Sequence, residues 1–236
     1  MEKNKTVILS YARTPFGSFL GKLAKFSASY LGAQAIKETV NRAKLDSKLI
    51  DEVIVGNVLS AGIGQAPARQ AAIFSGLEKS TNCMTINKVC GSGMKAIMLA
   101  DQSIQLGQSN FIIAGGMESM SNTPHYLMSS RLGTKLGNIK QIDGMVHDGL
   151  WDVYNQVHMG NHGEACAEKY KITRKDQDEY AELSYKRSQY AHNEGILNKE
   201  ICDIIDDKGN KVDVVDEEPF RVDFEKLKQL RSVFKK

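Results

Sequence analysis

The residues best suited to chemistry in this 236-residue chain lie in Thr85-Ile86-Asn87-Lys88-Val89-Cys90-Gly91-Ser92-Gly93-Met94. A short apolar strand runs into a tight turn with Cys90 at the bend, and a helical pattern follows at once. Gly91 and Gly93 are expected to relieve crowding where the backbone bends and a ligand approaches. The first amides of that helix lack intrahelical acceptors and its dipole adds positive potential, so both favour an anionic sulfur. The thiolate is the nucleophilic form of cysteine, and the same donors suit a thioester oxygen on which charge builds. A second reading stays open from these residues alone, because free cysteine is commonly a small buried hydrophobe. It suits the other three better: Cys83 lies inside the same strand pattern, Cys202 in a hairpin pattern and Cys166 on a helix pattern.

His158, His162 and Cys166 fall at i, i+4 and i+8, a ligand row if one helix runs through them. Gly160 and Gly163 argue against that helix and no fourth ligand is suitably spaced, so no metal site is expected. His125, His147 and His192 carry no motif and are expected on partly exposed loops or helices. Met94, Met98, Met117 and Met120 are expected in core packing.

The elements that must position Cys90 alternate. Strand patterns at 6–12, 52–58, 83–87 and 110–114 are separated by helix patterns at 27–42, 66–74 and 91–106, with Gly76 stopping the second. Strands separated by helices imply βαβ units and a mainly parallel sheet, an α/β fold. From 119 to about 161 periodicity is weak and Gly, Ser, Met and Asn abound, as in a functional or interaction loop. Helices are expected near 164–170 and over 174–193, the latter capped by Thr173 with Asp176 and stopped at Gly195. A hairpin around 206–210 and a short charged helix at 224–230 follow. Residues 1–119 read as an incomplete sheet domain and 120–236 as a loop-rich α/β cap.

Hydrophobic residues make up 42% and charged residues 25%, as in ordinary globular chains. A formal charge of +3, evenly spread, carries no nucleic-acid footprint. No uninterrupted apolar run nears membrane-spanning length and no secretory h-region opens the chain, so a cytoplasmic location is expected. Four cysteines in a chain of this size do not make a disulfide framework.

The order and spacing of several segments together resemble the thiolase family along essentially the whole chain. They are Ala12-Arg13-Thr14-Pro15-Phe16-Gly17, residues 62–69 (GIGQAPAR), Asn87-Lys88-Val89-Cys90-Gly91-Ser92-Gly93 and Ala114-Gly115-Gly116-Met117-Glu118-Ser119-Met120-Ser121. His158-Met159-Gly160 and residues 172–178 complete the set. The resemblance implies a layered βαβα fold and acyl transfer between acetyl-CoA units, condensing to acetoacetyl-CoA or running the reverse thiolysis. It implies that Cys90 takes the acyl group as a thioester, its own N–H serving an oxyanion hole, so that one hard step becomes two easier ones. It further implies that Leu150 packs on the pantetheine arm and that His158 and Met159 line a short-chain acyl pocket. Arg221 matches a position near the adenine end of CoA, although a solvated surface cation explains it as well. CoA thioesters enter as substrates, with no further cofactor. The loop 119–141 resembles the one through which thiolases form tetramers.

The chain also departs from the family pattern. The NEAF-type Asn, the GHP-type His and a second reactive Cys, which belong to a later half, do not occur in it. Without them Cys90 lacks a partner base, the carbanion step lacks a catalyst, and the chain alone is expected to be inactive. Since the family's chain returns to the first sheet to add strands beyond this point, an unpaired edge of that sheet and an uncovered apolar face are expected, with a tendency to associate. A catalytically incomplete CoA-binding or interaction module, such as one subunit of a split enzyme, is therefore the second reading. A ketoacyl-synthase-like condensing enzyme shares the expected fold but fits the HMG and GGMESM segments less well.

Overall fold

The computed structural model describes residues 5–133 and 135–235. Helix α1 (Ala28–Ala43) begins at Ser27, whose side chain accepts from the Tyr30 N–H, and ends at Lys44 in the left-handed region. It leads to β1 (Glu52–Gly56), then α2 (Pro67–Phe74), β2 (Asn82–Ile86), α3 (Ser92–Gln105) and β3 (Ile112–Gly116). The three strands are parallel in the order β2-β1-β3, with Glu52 opposite both Asn82 and Ile112. Consecutive strands are thus joined by helical crossovers, the connection parallel pairing requires.

The run Glu-Val-Ile-Val-Gly explains why β1 is central. Val53, Ile54 and Val55 are all buried, although successive side chains point to opposite faces. Each contributes roughly 1.5–3 kcal/mol by leaving water. Val53 and Val55 pack with Ala28, Ile36, Ala68 and Ala71 of α1 and α2. Ile54 packs on the other face with Ala96 and Ala100 of α3. Small residues let α1 and α2 approach: Ala68, Ala71 and Ala72 are fully enclosed, and Ser29 Oγ donates to Pro67 O at 3.2 Å.

Beyond β3 the elements are short. β4 (His125–Tyr126) pairs antiparallel with β5 (Ile142–Asp143); a π-type turn, Met145–Leu150, follows, and β6 (Trp151–Asp152) pairs antiparallel with β7 (Val157–His158). Helices α4 (Met159–Lys169), α5 (Arg174–Asn193) and α6 (Phe224–Leu227) complete the series. Thr173 and Asp176 form the expected capping box of α5, and Gly195 follows it at φ +67°.

Four expectations need correction. Residues 6–12 form no strand: Val7, Ile8, Leu9 and Tyr11 are exposed, and only Arg13 bridges, to Ile201. A channel of about 360 Å³ separates this segment from β3, so its short apolar run has no neighbouring ladder. Helix α4 runs straight through Gly160 and Gly163, because His158 caps it by accepting from the Gly160 N–H. The pattern at 201–215 forms a single rung, Ile205 opposite Lys211, around a turn closed by Asp206. Met94 and Met98 lie on the exposed side of α3 and Met120 is exposed beyond β3, whereas Met117 is buried.

Candidate functional site around Cys90

Local hydrogen bonds build the bend that carries Cys90. Asn87 Oδ1 accepts from the Val89 N–H at 2.9 Å, and Ser92 Oγ accepts from the Lys88 N–H while donating to Val89 O. The Gly91 and Ser92 N–H groups donate back to Lys88 O and Val89 O. Closing the turn this tightly holds Val89 at φ +48°, an outlier for a β-branched residue. Such strain costs about 1–3 kcal/mol and persists only where the surroundings enforce it. Cys90 is exposed beside the first turn of α3, whose Gly91 cap offers no side-chain acceptor. The Gly91 and Ser92 amides are used within the turn, and the dipole of α3 adds positive potential around the sulfur.

The steric need expected at Gly91 and Gly93 falls mainly on Gly56. A Cβ at Gly56 would stand 2.5 Å from Ser92 Cβ and 2.8 Å from Gly93 N. At Gly91 the nearest atom would be Lys88 O at 3.5 Å, and its φ of −89° is open to any residue. Gly93 does lie against Gly116, at ordinary contact distance. The start of α3 thus sits directly on the ends of β1 and β3.

The remaining candidates are gathered by the second small hairpin. Trp151 pairs with His158, so Leu150 before it and Met159 after it flank one end of the β6-β7 ladder. Leu150 and His158 are half-buried and Met159 is exposed. Asp152 braces this hairpin by accepting from the Tyr154 and Asn155 N–H groups, Asn155 Nδ2 and, at 2.7 Å, His162 Nε2. These bonds, led by that from the Asn155 side chain, hold its carboxyl well below the usual range. The His158 ring stacks on Phe234 with centroids 4.9 Å apart. Phe234 has no sequence signal beyond being an aromatic residue in a charged tail.

A half-buried carboxyl links this hairpin to the Cys90 bend. Glu118, just past β3, accepts from the Val58 and Leu59 N–H groups and Asn57 Nδ2. Burial raises its pKa despite these bonds. The Asn57 N–H donates to Ile86 O, where the Cys90 turn begins, and Leu59 lies against Gly149, next to Leu150. The bend and the hairpin are therefore joined at the same edge of the sheet. Arg221 stands apart: it is exposed, 3.5 Å from Glu218. Among the other cysteines, burial pushes Cys83 up and Cys202 up to about 11, and Cys166 is exposed on α4.

The chain resembles known proteins throughout. The pattern described as "Thiolase, N-terminal domain" matches residues 6–236. Acetyl-CoA acetyltransferase 2 of Arabidopsis thaliana is 49% identical over 232 residues, covering 97% of this chain and 58% of that protein. The mitochondrial acetyl-CoA acetyltransferase of Mus musculus is 49% identical over 236 residues, covering 99% and 55%. Among solved structures, the Acat5 thiolase from Ascaris suum in complex with coenzyme A superposes with a TM-score of 0.90 at 41% identity. That match covers 97% of this chain and 58% of the other. The chain thus spans little more than half the length of these relatives, and it belongs to the thiolase family, whose N-terminal domain it carries.

Proposed function

We propose that Cys90 accepts an acetyl group from acetyl-CoA in a thiolase reaction that joins two acetyl units or cleaves acetoacetyl-CoA. The thiolate attacks the thioester carbonyl, a bond forms from Cys90 Sγ to the acyl carbon, and the CoA sulfur leaves with the electron pair. The observation that supports this reading best is an exposed thiol held by a strained, fully hydrogen-bonded turn at the start of a 14-residue helix. Amides there, including that of Cys90, suit the oxyanion of the tetrahedral intermediate. Leu150 would contact the pantetheine arm, His158 and Met159 the acyl group, and Arg221 the nucleotide end. Phe234, stacked on His158, belongs beside them.

Deprotonating the second acetyl-CoA needs a base and an acid, and among the described residues no such group is hydrogen-bonded to Cys90 Sγ. We assign those roles to the later half of a complete thiolase. The loop 119–141, whose Leu132 and Leu136 are almost fully exposed, would serve assembly into homo-oligomers, and a cytoplasmic setting suits the free thiols. The same lack of a base favours the second reading, a CoA-binding module without turnover of its own.

Intact-mass analysis after exposure to acetyl-CoA separates the two. One acetyl group on Cys90, lost in Cys90→Ala, is expected. Cys166 is also exposed and serves as an internal control: equal labelling there, or none at Cys90, would sink the acyl-enzyme reading.

A further inference from the structure

Asp216 is a buried carboxylate whose four acceptor sites are all taken. Arg13 donates to both oxygens at 2.8 and 2.9 Å, the Phe16 N–H donates at 2.7 Å, and His192 Nε2 lies 2.9 Å away. Burial alone would raise its pKa, but these donors outweigh it and hold the carboxyl below its usual range. Glu217 next to it accepts from the Ser18 and Lys22 N–H groups. From the opposite side, Gln189 donates to Pro219 O, and the His192 ring meets Phe220 edge-on with centroids 5.4 Å apart. Gln189 and His192 are three apart on α5 and so share a face. His192, expected as a partly exposed helix residue, is instead the inner wall of this clamp.

The clamped segment ends at Arg221, whose N–H donates to Glu218 O and whose exposed guanidinium makes a long contact, 3.5 Å, to the Glu218 carboxylate. A long cationic side chain loses rotamer freedom when it binds an anion, so fixing the backbone beneath it lowers the ordering cost of binding. We infer that His192 and Asp216 are positioning residues for the nucleotide end of coenzyme A, acting by holding residues 216–220 so that Arg221 is presented at one place. This rests on the proposed CoA reading, and it adds residues that touch neither the thioester nor the pantetheine arm. The clamp acts on the phosphate-bearing end of the ligand and leaves the sulfur end alone.

The test uses the 236-residue chain, with His192→Ala, His192→Gln and Asp216→Asn, and two probes: coenzyme A and the acetyl thioester of pantetheine, which lacks the nucleotide. In His192→Ala the dissociation constant for coenzyme A, measured by calorimetry, is expected to rise roughly tenfold. Cys90 acetylation by the pantetheine thioester should stay within about twofold, since nothing in that probe reaches the clamp. His192→Gln keeps a donor toward Asp216 and should recover most of the affinity. Asp216→Asn is expected to weaken coenzyme A binding further; if it fails to fold, the histidine pair still decides the matter. Unchanged affinity in His192→Ala, or equal loss with both probes, overturns the inference while leaving the Cys90 reading intact. A wild-type chain that binds no coenzyme A overturns both.

Discussion

Between Glu52 and Gly116 the backbone is held by its own ladder, and side chains serve mainly to fill the two faces. Between Thr123 and His158 the ladders are two residues long, and carboxylates take over the task. Asp143 Oδ1 accepts from the Met145 N–H, Tyr126 donates to Asp148, and Asp152 accepts four bonds. Cys90, the proposed nucleophile, stands on the first kind of structure and the proposed pantetheine and acyl contacts on the second. A cooperative sheet opens only with the whole fold, whereas a stretch tied by exposed side chains can open locally. Rigid thiol and adjustable pocket are thus assigned to different physical supports.

The strongest way to break the first support is Gly56→Ala. The added methyl would meet backbone and side-chain atoms of Ser92 and Gly93, so α3 must lift from the sheet. The expected loss is about 3 kcal/mol, at the upper end for overpacking, read from the urea midpoint, together with altered alkylation of Cys90. Gly91→Ala, with room for its methyl, should change the midpoint little. Equal effects at the two positions would show that the seat of α3 is not where the contacts place it. The corresponding cut in the second support is Asp152→Asn, which disturbs all four bonds bracing the β6-β7 hairpin. Faster proteolytic nicking between residues 152 and 158, with the global midpoint unmoved, is expected; a shifted midpoint would join the hairpin to the cooperative core.

How far each region could be read beforehand follows from the same difference. Short apolar runs and helical patterns revealed β1, β2 and α1 to α3 because those signals come from burial on a regular backbone, and the capping box revealed α5. The pattern at residues 6–12 misled because a short apolar run reports a wish for burial, and among the described residues no strand lies beside that segment to satisfy it. Gly160 and Gly163 misled in the opposite sense, since a propensity cost of about 1 kcal/mol per glycine is overridden by the His158 cap and by packing. The Cys90 bend was legible from its glycines and its place between strand and helix. Val89 was not, because strain at a valine leaves no mark in composition. Glu118, Asp216 and His192 escaped notice for a related reason. Their partners lie tens to hundreds of residues away in the chain, and pairing of that kind has no local period.

The smallest expected effect concerns Tyr126, at the edge of the side-chain-held region. Its hydroxyl donates to Asp148 Oδ2 at 2.6 Å. Burial, then this bond and the carboxylate's charge, push its pKa up to about 12. A phenol with a raised pKa in the fold contributes stability that is complete below its unfolded value of about 10. That contribution is lost as pH climbs from there through the folded value. Because Tyr126 is only partly buried, screening should keep the contribution below about 1 kcal/mol. Amide exchange between residues 123 and 150 should therefore quicken modestly above pH 10 in the wild type beyond the ordinary base-catalysed rise. In Tyr126→Phe that extra increment should vanish, while exchange in β1 stays as it was. An increment that persists in the phenylalanine variant would mean that another group closes this loop, and that Tyr126 and Asp148 are neighbours without consequence for its opening.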